Sequence, residues 1–371
     1  MNFEEFAAKP LLAKGGIPVP PSRIALTVDE AAEAAAAIGP CVVKAQVPTG
    51  KRGKAGGIQL AANPDAARAH ADKILGMDIG GFTVERLLVE GQVGIDRELY
   101  AAILNDPVTC GPVALFSPMG GMDVEEAAEQ DAGAMRRQPV DIRSGLSLDQ
   151  AMTLTEGLDL PPAVAETLVK LYDVYRANDA ELLEINPLVL TTDGDVIALD
   201  CKFTLCDSAI PRQAEIAPHG TPDKQTDLEA EAAAADLKYI ELGGSVGVLA
   251  NGAGLTMTTM DAITHYGGAP SNFLEIGGEA YTKSETALKI LLKNPNIKSL
   301  LVNFCGAFAR TDVMAGGVVE AWKALKPDIP VFFTIHGTGE DEAVALVREE
   351  LGIEPFDLMD DAVKAAVEAA K

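Results

Sequence analysis

The chain has little of what marks a secreted, membrane-spanning or nucleic-acid-binding protein. Five cysteines (41, 110, 201, 206 and 305) are scattered through 371 residues with no CxxC pair, which points to reduced thiols and a cytoplasmic setting rather than a disulfide framework. Only four histidines are present, which argues against a His-rich metal site. Cations are scarce: 30 Lys and Arg face 55 Asp and Glu, for a formal net charge of −25. That balance argues against nucleic acid or an acidic membrane surface as a partner, so any bound anion needs a local basic or backbone-amide site. No apolar run approaches membrane-spanning length. The start, Met1-Asn2-Phe3-Glu4-Glu5, lacks the basic end and apolar core of a signal peptide. What remains is ordinary globular composition, 48% hydrophobic and 23% charged, long enough for two or three domains.

The most informative stretch is Ala180-Glu181-Leu182-Leu183-Glu184-Ile185-Asn186-Pro187-Leu188. Its short apolar run reads as a buried strand. Residues 191–194 read as a turn, and Val196 to Asp200 as the returning strand. Such a hairpin sets Asn186 beside Asp200. One amide oxygen and one carboxylate, with phosphate oxygens completing the shell, suit a hard cation such as Mg²⁺. A core hairpin with incidental polar residues is the plainer alternative, although buried Glu, Asn and Asp each need a partner.

A second cluster, Thr49-Gly50-Lys51-Arg52-Gly53-Lys54-Ala55-Gly56-Gly57, places four glycines among three cations in an acidic protein. Exposed amides with Lys and Arg cradle phosphates, but a solvated flexible loop has the same composition. The Walker A order is absent.

Along the chain, a helix is expected over 3–14 with Phe3, Phe6, Ala7, Leu11 and Leu12 as its apolar face, followed by an extended connector at Pro18, Pro20 and Pro21. A helix over 28–38 precedes a strand at 41–45 that carries Lys44. Further helices are expected at 64–75, 123–130, 147–156 and 161–177, and strands at 82–89, 98–104 and 112–118. Carboxylates at strand ends, Glu90 and Glu98, have the chemistry to meet sugar hydroxyls or simply water. Residues 208–236 read as an interdomain connector.

From about 238 the pattern changes to alternating strands and helices: strands at 246–250, 273–276, 299–305, 331–335 and 353–356, and helices from 255, at 283–293, 312–325, 340–350 and 360–370. This alternation predicts a parallel, doubly wound sheet whose ligands gather beyond the carboxyl ends of the strands. Those ends are Asn251-Gly252-Ala253-Gly254, Gly277-Gly278, Gly306-Ala307-Phe308-Ala309-Arg310 and His336-Gly337-Thr338-Gly339. Trp322 and the methionines at 257 and 260 read as core.

Taken together, Lys9, Lys44, Gly53-Lys54-Ala55-Gly56-Gly57, Glu184 to Leu188, Leu199-Asp200, and Asn251-Gly252-Ala253-Gly254-Leu255 with Thr259-Met260-Asp261 resemble the landmarks of the succinate–CoA ligase β-subunit family, end to end. Malate–CoA ligase and ATP-citrate lyase are similar relatives. The resemblance implies an α/β protein: an N-terminal ATP-grasp domain over 1–236 and a flavodoxin-like, doubly wound CoA-ligase domain over 237–371.

It also implies a reversible ligation in which acid, CoA and ATP or GTP give acyl-CoA, diphosphate and phosphate. The route runs through an acyl phosphate and a histidine on an α subunit that carries most CoA contacts, in an αβ or α₂β₂ assembly of the tricarboxylic acid cycle. No histidine of that kind is evident among His70, His219, His265 and His336. Carried over by residue, Lys44, Lys51, Arg52 and Gly53 hold the nucleotide phosphates, and Glu90, Val93 and Glu98 line its adenine and ribose. Asn186 and Asp200 hold Mg²⁺, and Glu184 orients the phosphohistidine. Asn251 with Ala307, Phe308 and Ala309 meets the acid.

Three loops depart from the pattern of the succinate enzymes: Gly306-Ala307-Phe308-Ala309-Arg310, Glu275-Ile276-Gly277-Gly278-Glu279-Ala280 and Thr334-Ile335-His336-Gly337. Lys51 also stands where the family usually has glycine. Another acid, malate or citrate among them, and a non-catalytic nucleotide-binding subunit are the competing expectations.

Overall fold

The computed structural model describes residues 1–121, 135–222, 224–276 and 282–371. The helix expected over 123–130 and the loop Gly277-Gly278-Glu279-Ala280 lie outside the described residues. The chain forms two compact units, Met1–Asp223 and Lys224–Lys371. The boundary expected after residue 236 therefore moves back. The helix Asp227–Ala234 buries Ala232 in the second unit's core, beside Leu237 and Tyr239, because it leads directly into that unit's edge strand.

The first unit is built on two sheets. The larger is antiparallel and runs Arg136–Pro139, Gly111–Ser117, Ile95–Asp106, Ala180–Thr191, Lys202–Leu205, Asn2–Phe3 and Gly220–Thr221, with Val196–Ala198 also paired to Ala180–Thr191. Helix Pro162–Ala177 covers it. Leu168, Leu171 and Tyr172 pack in one cluster with Leu99, Ile103, Phe116 and Ile185. The smaller sheet runs Ser22–Ala25, Leu87–Gly91, Cys41–Ala45 and Ile58–Ala61. Helices Val28–Ile38 and Pro64–Ile74 supply alanine to its core, so their backbones approach the strands closely. Thr27 and Asn63 side chains accept the first-turn amides of these helices.

Several expectations change here. Residues 82–89 do not form one strand: Phe82–Thr83 turns back on Asp78–Ile79, and the sheet strand starts at Leu87. The proline-rich connector contains the strand Ser22–Ala25. The segment from 208 is not a bare linker. Ala209 and Ala217 are buried, and Gly220–Thr221 pairs with Asn2–Phe3. The first helix, Glu5–Lys14, buries Glu5, Ala8, Lys9, Leu11 and Leu12, leaving Phe6 and Ala7 only half-buried.

The second unit has a single sheet ordered Lys238–Glu241, Asn272–Glu275, Val246–Ala250, Ser299–Gly306 and Val331–Gly337. The last four strands are parallel, in the 2-1-3-4 order of flavodoxin-like sheets. Helices on both faces leave Val246–Ala250 wholly buried, which is why it reads as an unbroken apolar run. The edge strand Lys238–Glu241 is antiparallel, so the alternation is not strict. The strand expected at 353–356 reduces to one bridge between Thr334 and Phe356. Trp322 and Met260 pack partly against apolar clusters, whereas Met257 is exposed. Among the described residues, no helix is long and apolar enough to cross a membrane.

Candidate active site

Where the two sheets of the first unit adjoin the helix Glu5–Lys14, six ionised side chains converge. Glu5 and Lys9 are one helical turn apart and so share the core-facing stripe with Ala8 and Leu12. Lys44 comes from the centre of the small sheet and Glu90 from the neighbouring strand, where Val42 is its Cα partner. Lys44 Nζ donates to Glu90 Oε1 at 2.6 Å, to the Leu199 carbonyl at 2.6 Å and to Glu5 Oε1 at 2.9 Å. Lys9 Nζ meets the same partners: Glu5 Oε1 at 2.7 Å, the Leu199 carbonyl at 2.9 Å, and Glu90 Oε2. Arg52 reaches inward from the glycine-rich loop. Its Nη2 spans both Asp200 oxygens at 2.7 and 2.9 Å, and its Nη1 donates to the Ala45 carbonyl and lies 2.8 Å from Glu5 Oε2.

Three cations and three anions balance in this cluster, which is what makes their burial tolerable. Burial alone would raise the Glu5 carboxyl, but Lys44, Lys9 and Arg52 together hold it well below the usual carboxylate range. Burial likewise opposes the charge on Lys44, and Glu5, Glu90 and Asp200 override it, lifting the ammonium above the ordinary lysine value. Both residues are therefore ionised at neutral pH.

The glycine-rich loop is folded rather than a loose solvated segment. Ala55, Gly56 and Gly57 amides bond back to Lys51, Gly53 and Arg52 carbonyls. A Cβ at Gly57 would come within 2.7 Å of Ile79 Cδ1, 3.0 Å of Ala45 Cβ and 3.2 Å of the Arg52 carbonyl oxygen, so glycine allows this close approach without displacing its neighbours. Lys51 is held at φ +63°, in the left-handed region where glycine is favoured. Lys51 and Lys54 are exposed, whereas Arg52 between them is buried.

The hairpin forms. Leu188, Val189 and Leu190 face Ala198, Ile197 and Val196, and the Leu199 amide donates to the Pro187 carbonyl; the returning strand ends at Ala198, short of the expected Asp200. Asn186 Oδ1 accepts from the Gly121 amide at 2.8 Å, and Asp200 Oδ1 accepts from the Cys201 amide as well as from Arg52. Asp200 Oδ2 accepts only from Arg52 and keeps a further lone pair, and a carboxylate with an amide oxygen is the donor set of a hard cation, so the residues fit Mg²⁺. Among the described residues there is no cluster of three or more His, Cys, Asp or Glu side chains suited to a metal. On the same strand, Glu184 Oε2 accepts from the Tyr100 hydroxyl at 3.3 Å, and burial followed by the Glu184 charge keeps that phenol protonated well above its usual range.

Not every expected nucleotide contact is where the sequence suggests. The Glu90 carboxylate points into the lysine cluster, so a nucleotide can meet this residue only through its backbone. Val93 is half-buried in the loop after Glu90, and Glu98 is exposed with its carboxylate beside Gly121. A depression lined by Leu11, Lys14, Asp173 and Arg212 lies elsewhere on this unit and includes none of the network. The sequence reading missed Glu5 altogether and gave Lys9 no role. The available signal was a Glu–Lys pair four residues apart on the stripe of Leu12.

In the second unit, the strand ends form a different site. Asn251 follows Val246–Ala250 and bonds reciprocally to Cys305: Nδ2 donates to its carbonyl at 2.8 Å and Oδ1 accepts from its amide at 2.7 Å. This ties together the two strands at which the order of the sheet reverses. Gly252, at φ +86°, opens the helix Ala253–His265 with no side-chain cap. Phe308 is 89% exposed between Ala307 and Ala309. His336 Nε2 lies 2.7 Å from the Asp357 carbonyl, and Gly337 packs against Gly306.

Known proteins match this arrangement. A family model described as an ATP-grasp domain matches residues 2–190, and one described as CoA-ligase matches residues 249–367. The succinate–CoA ligase [ADP-forming] subunit beta of Burkholderia thailandensis is 41% identical, with 100% of this chain and 99% of that protein covered. The protein of the same name from Halorubrum lacusprofundi is 40% identical over the same shares. Among solved structures, ATP citrate lyase from Methanothrix soehngenii has the same fold, with a TM-score of 0.71, 23% identity and 99% of each chain covered.

Proposed function

The chain belongs to the family of ADP-forming succinate–CoA ligase β subunits, and from that premise we propose how its residues divide the work of a nucleotide-dependent acid–CoA ligase. Its first unit binds ATP and its second unit presents the acid and the phosphoryl carrier. Succinate is the acid, as in the names of its relatives, and an α subunit supplies the histidine and most CoA contacts. The complex works in the cytoplasm.

The observation that carries this reading is the meeting of Lys44, Arg52 and Asp200, the last two 148 residues apart, beside the Asn186 hairpin of an ATP-grasp unit. Phosphoryl transfer needs positioning and charge neutralisation more than covalent assistance. Lys44, Lys51, Arg52 and the Gly53 amide hold the phosphates, and the backbone at Glu90, with Val93 and Glu98, lines the adenine and ribose. Asn186 and Asp200 would hold Mg²⁺, which supplies positive charge to the phosphate oxygens. Glu184, oriented by Tyr100, receives the partner's histidine at the nucleotide.

On the second unit, Asn251 keeps one amide N–H beyond its bond to Cys305 and offers it to the acid carboxylate, with the 307–309 loop beside it. The uncapped helix after Gly252 directs its first-turn amides at the phosphohistidine dianion.

The test uses the chain co-expressed with its α subunit, supplied with ATP or GTP, Mg²⁺, CoA and a panel of acids, with thioesters detected by mass. Succinyl-CoA with ADP and phosphate is the expected product. No nucleotide-dependent thioester from any acid would overturn the reading. A thioester from malate or citrate alone would reassign the substrate and direct mutagenesis to Phe308 and His336.

A further inference from the structure

Lys44 has three N–H donors, and all three are engaged: by Glu5 Oε1, by Glu90 Oε1 and by the Leu199 carbonyl. A nucleotide phosphate can recruit this ammonium only by taking a donor away from one of them. That exchange would leave a buried carboxylate or carbonyl without its partner, which is strongly unfavourable. Glu5 is 2% exposed and Glu90 1% exposed, so water does not fill the gap.

Lys9 removes the obstacle. It is 3% exposed, on the core-facing stripe of its helix, and it contacts each of the three groups that hold Lys44. Each acceptor that Lys44 vacates keeps Lys9 as a partner. With Lys9 present, Lys9, Lys44 and Arg52 balance Glu5, Glu90 and Asp200; without it, two cations face three carboxylates and Lys44 is pinned by the excess. We propose that Lys9 is a positioning residue for nucleotide binding: it holds Glu5, Glu90 and the Leu199 carbonyl so that Lys44 is free to turn to phosphate. This rests on Lys44 being a phosphate-binding cation, and the experiment separates the two claims.

Kinetics are measured on the complex with the α subunit for Lys44→Met, Lys9→Met, Lys9→Arg and the double variant Glu5→Gln/Lys9→Met. Lys44→Met is expected to raise the nucleotide KM by about a hundredfold. Lys9→Met is expected to raise it by about tenfold, while kcat and the KM values for acid and CoA change by less than about twofold, the pattern of lost binding rather than lost chemistry. Lys9→Arg restores the charge and most of the affinity. In the double variant the lost cation is matched by a lost anion, so nucleotide KM returns toward that of the unaltered complex. A merely structural lysine would lower the melting temperature of Lys9→Met without selectively raising the nucleotide KM.

An unchanged nucleotide KM in Lys9→Met, with Lys44→Met impaired, would overturn the role of Lys9. So would a double variant worse than Lys9→Met. An unchanged KM in Lys44→Met would instead overturn the phosphate-binding role of Lys44. If Lys9→Met does not fold, Lys9→Gln is read by the same criteria.

Discussion

In the first unit, Glu5, Lys9, Lys44, Arg52, Glu90 and Asp200 are brought together from distant segments and largely shielded from water. On the second unit, the strand ends carry glycines, backbone amides and one asparagine, and the ionised groups nearby pair at the surface, as Arg310 does with Asp312. Under the proposed function both regions handle anions, but by different physics. A buried charge cluster derives its affinity from side-chain identity and holds its members in mutual check. A loop edge derives it from backbone placement, which many side chains can flank. The first should therefore be sensitive to any change of charge, and the second to any change of backbone shape.

The largest expected effect is on the charge cluster. Glu5→Gln leaves Lys9, Lys44 and Arg52 short of one anion and should destabilise the first unit by roughly 3–5 kcal/mol, the cost of breaking a buried pair from one side. Urea unfolding followed by hydrogen exchange, region by region, checks both size and location. The same residue shapes the acid limit of the unit. Because the folded Glu5 carboxyl titrates well below its unfolded value, its stabilisation is complete above about pH 4.3 and is lost as pH falls from there toward the folded value. Melting temperatures between pH 2 and 7 should show a flatter acid limb in Glu5→Gln. Lys44 has the opposite sign: its contribution is present below about pH 10.4 and is lost as pH rises through its raised folded value.

A smaller effect is expected at the loop edge. Gly337 has φ +95°, and a Cβ there would come within 2.1 Å of the Gly306 carbonyl oxygen. Gly337→Ala should cost about 1–3 kcal/mol and speed amide exchange in the 306–311 and 337–339 loops while leaving the first unit unaltered. Protection restricted to neither loop, or lost from the first unit, would break the contrast between the regions. The smallest effect is at Lys51, whose φ of +63° carries a conformational cost that glycine does not. Lys51→Gly should leave stability unchanged or raise it by up to about 1 kcal/mol, because glycine also gains freedom in the unfolded chain. Nucleotide affinity should fall as the loop loses a cation; titration calorimetry reads the affinity and urea unfolding the stability.

How legible all this is from sequence depends on the range of the interactions. The hairpin that pairs residues 188–190 with Val196–Ala198 is local, and its short apolar runs mark it. The parallel strands of the second unit are buried on both faces and announce themselves as apolar runs such as Val246–Ala250. The edge strand Lys238–Glu241 is not of that kind: Lys238 and Ile240 face solvent, so it has no apolar run. Ser22–Ala25 hides behind three prolines. The core role of Glu5 and Lys9 escapes a reading that searches only for apolar residues on a helical face, since their partners outside the helix lie 39 to 190 residues away. The engagement of Arg52 by Asp200 is similarly invisible, and it replaces the picture of a loop cation waiting in solvent with one already neutralised.

The most direct test of this division of labour compares Lys44→Met with Asn251→Ala in the complex with the α subunit, measuring ATP affinity and thioester formation for each. The account predicts that Lys44→Met loses ATP affinity, whereas Asn251→Ala binds ATP normally and loses thioester formation through a raised KM for the acid. Normal ATP affinity in Lys44→Met, or impaired ATP affinity in Asn251→Ala, would contradict it.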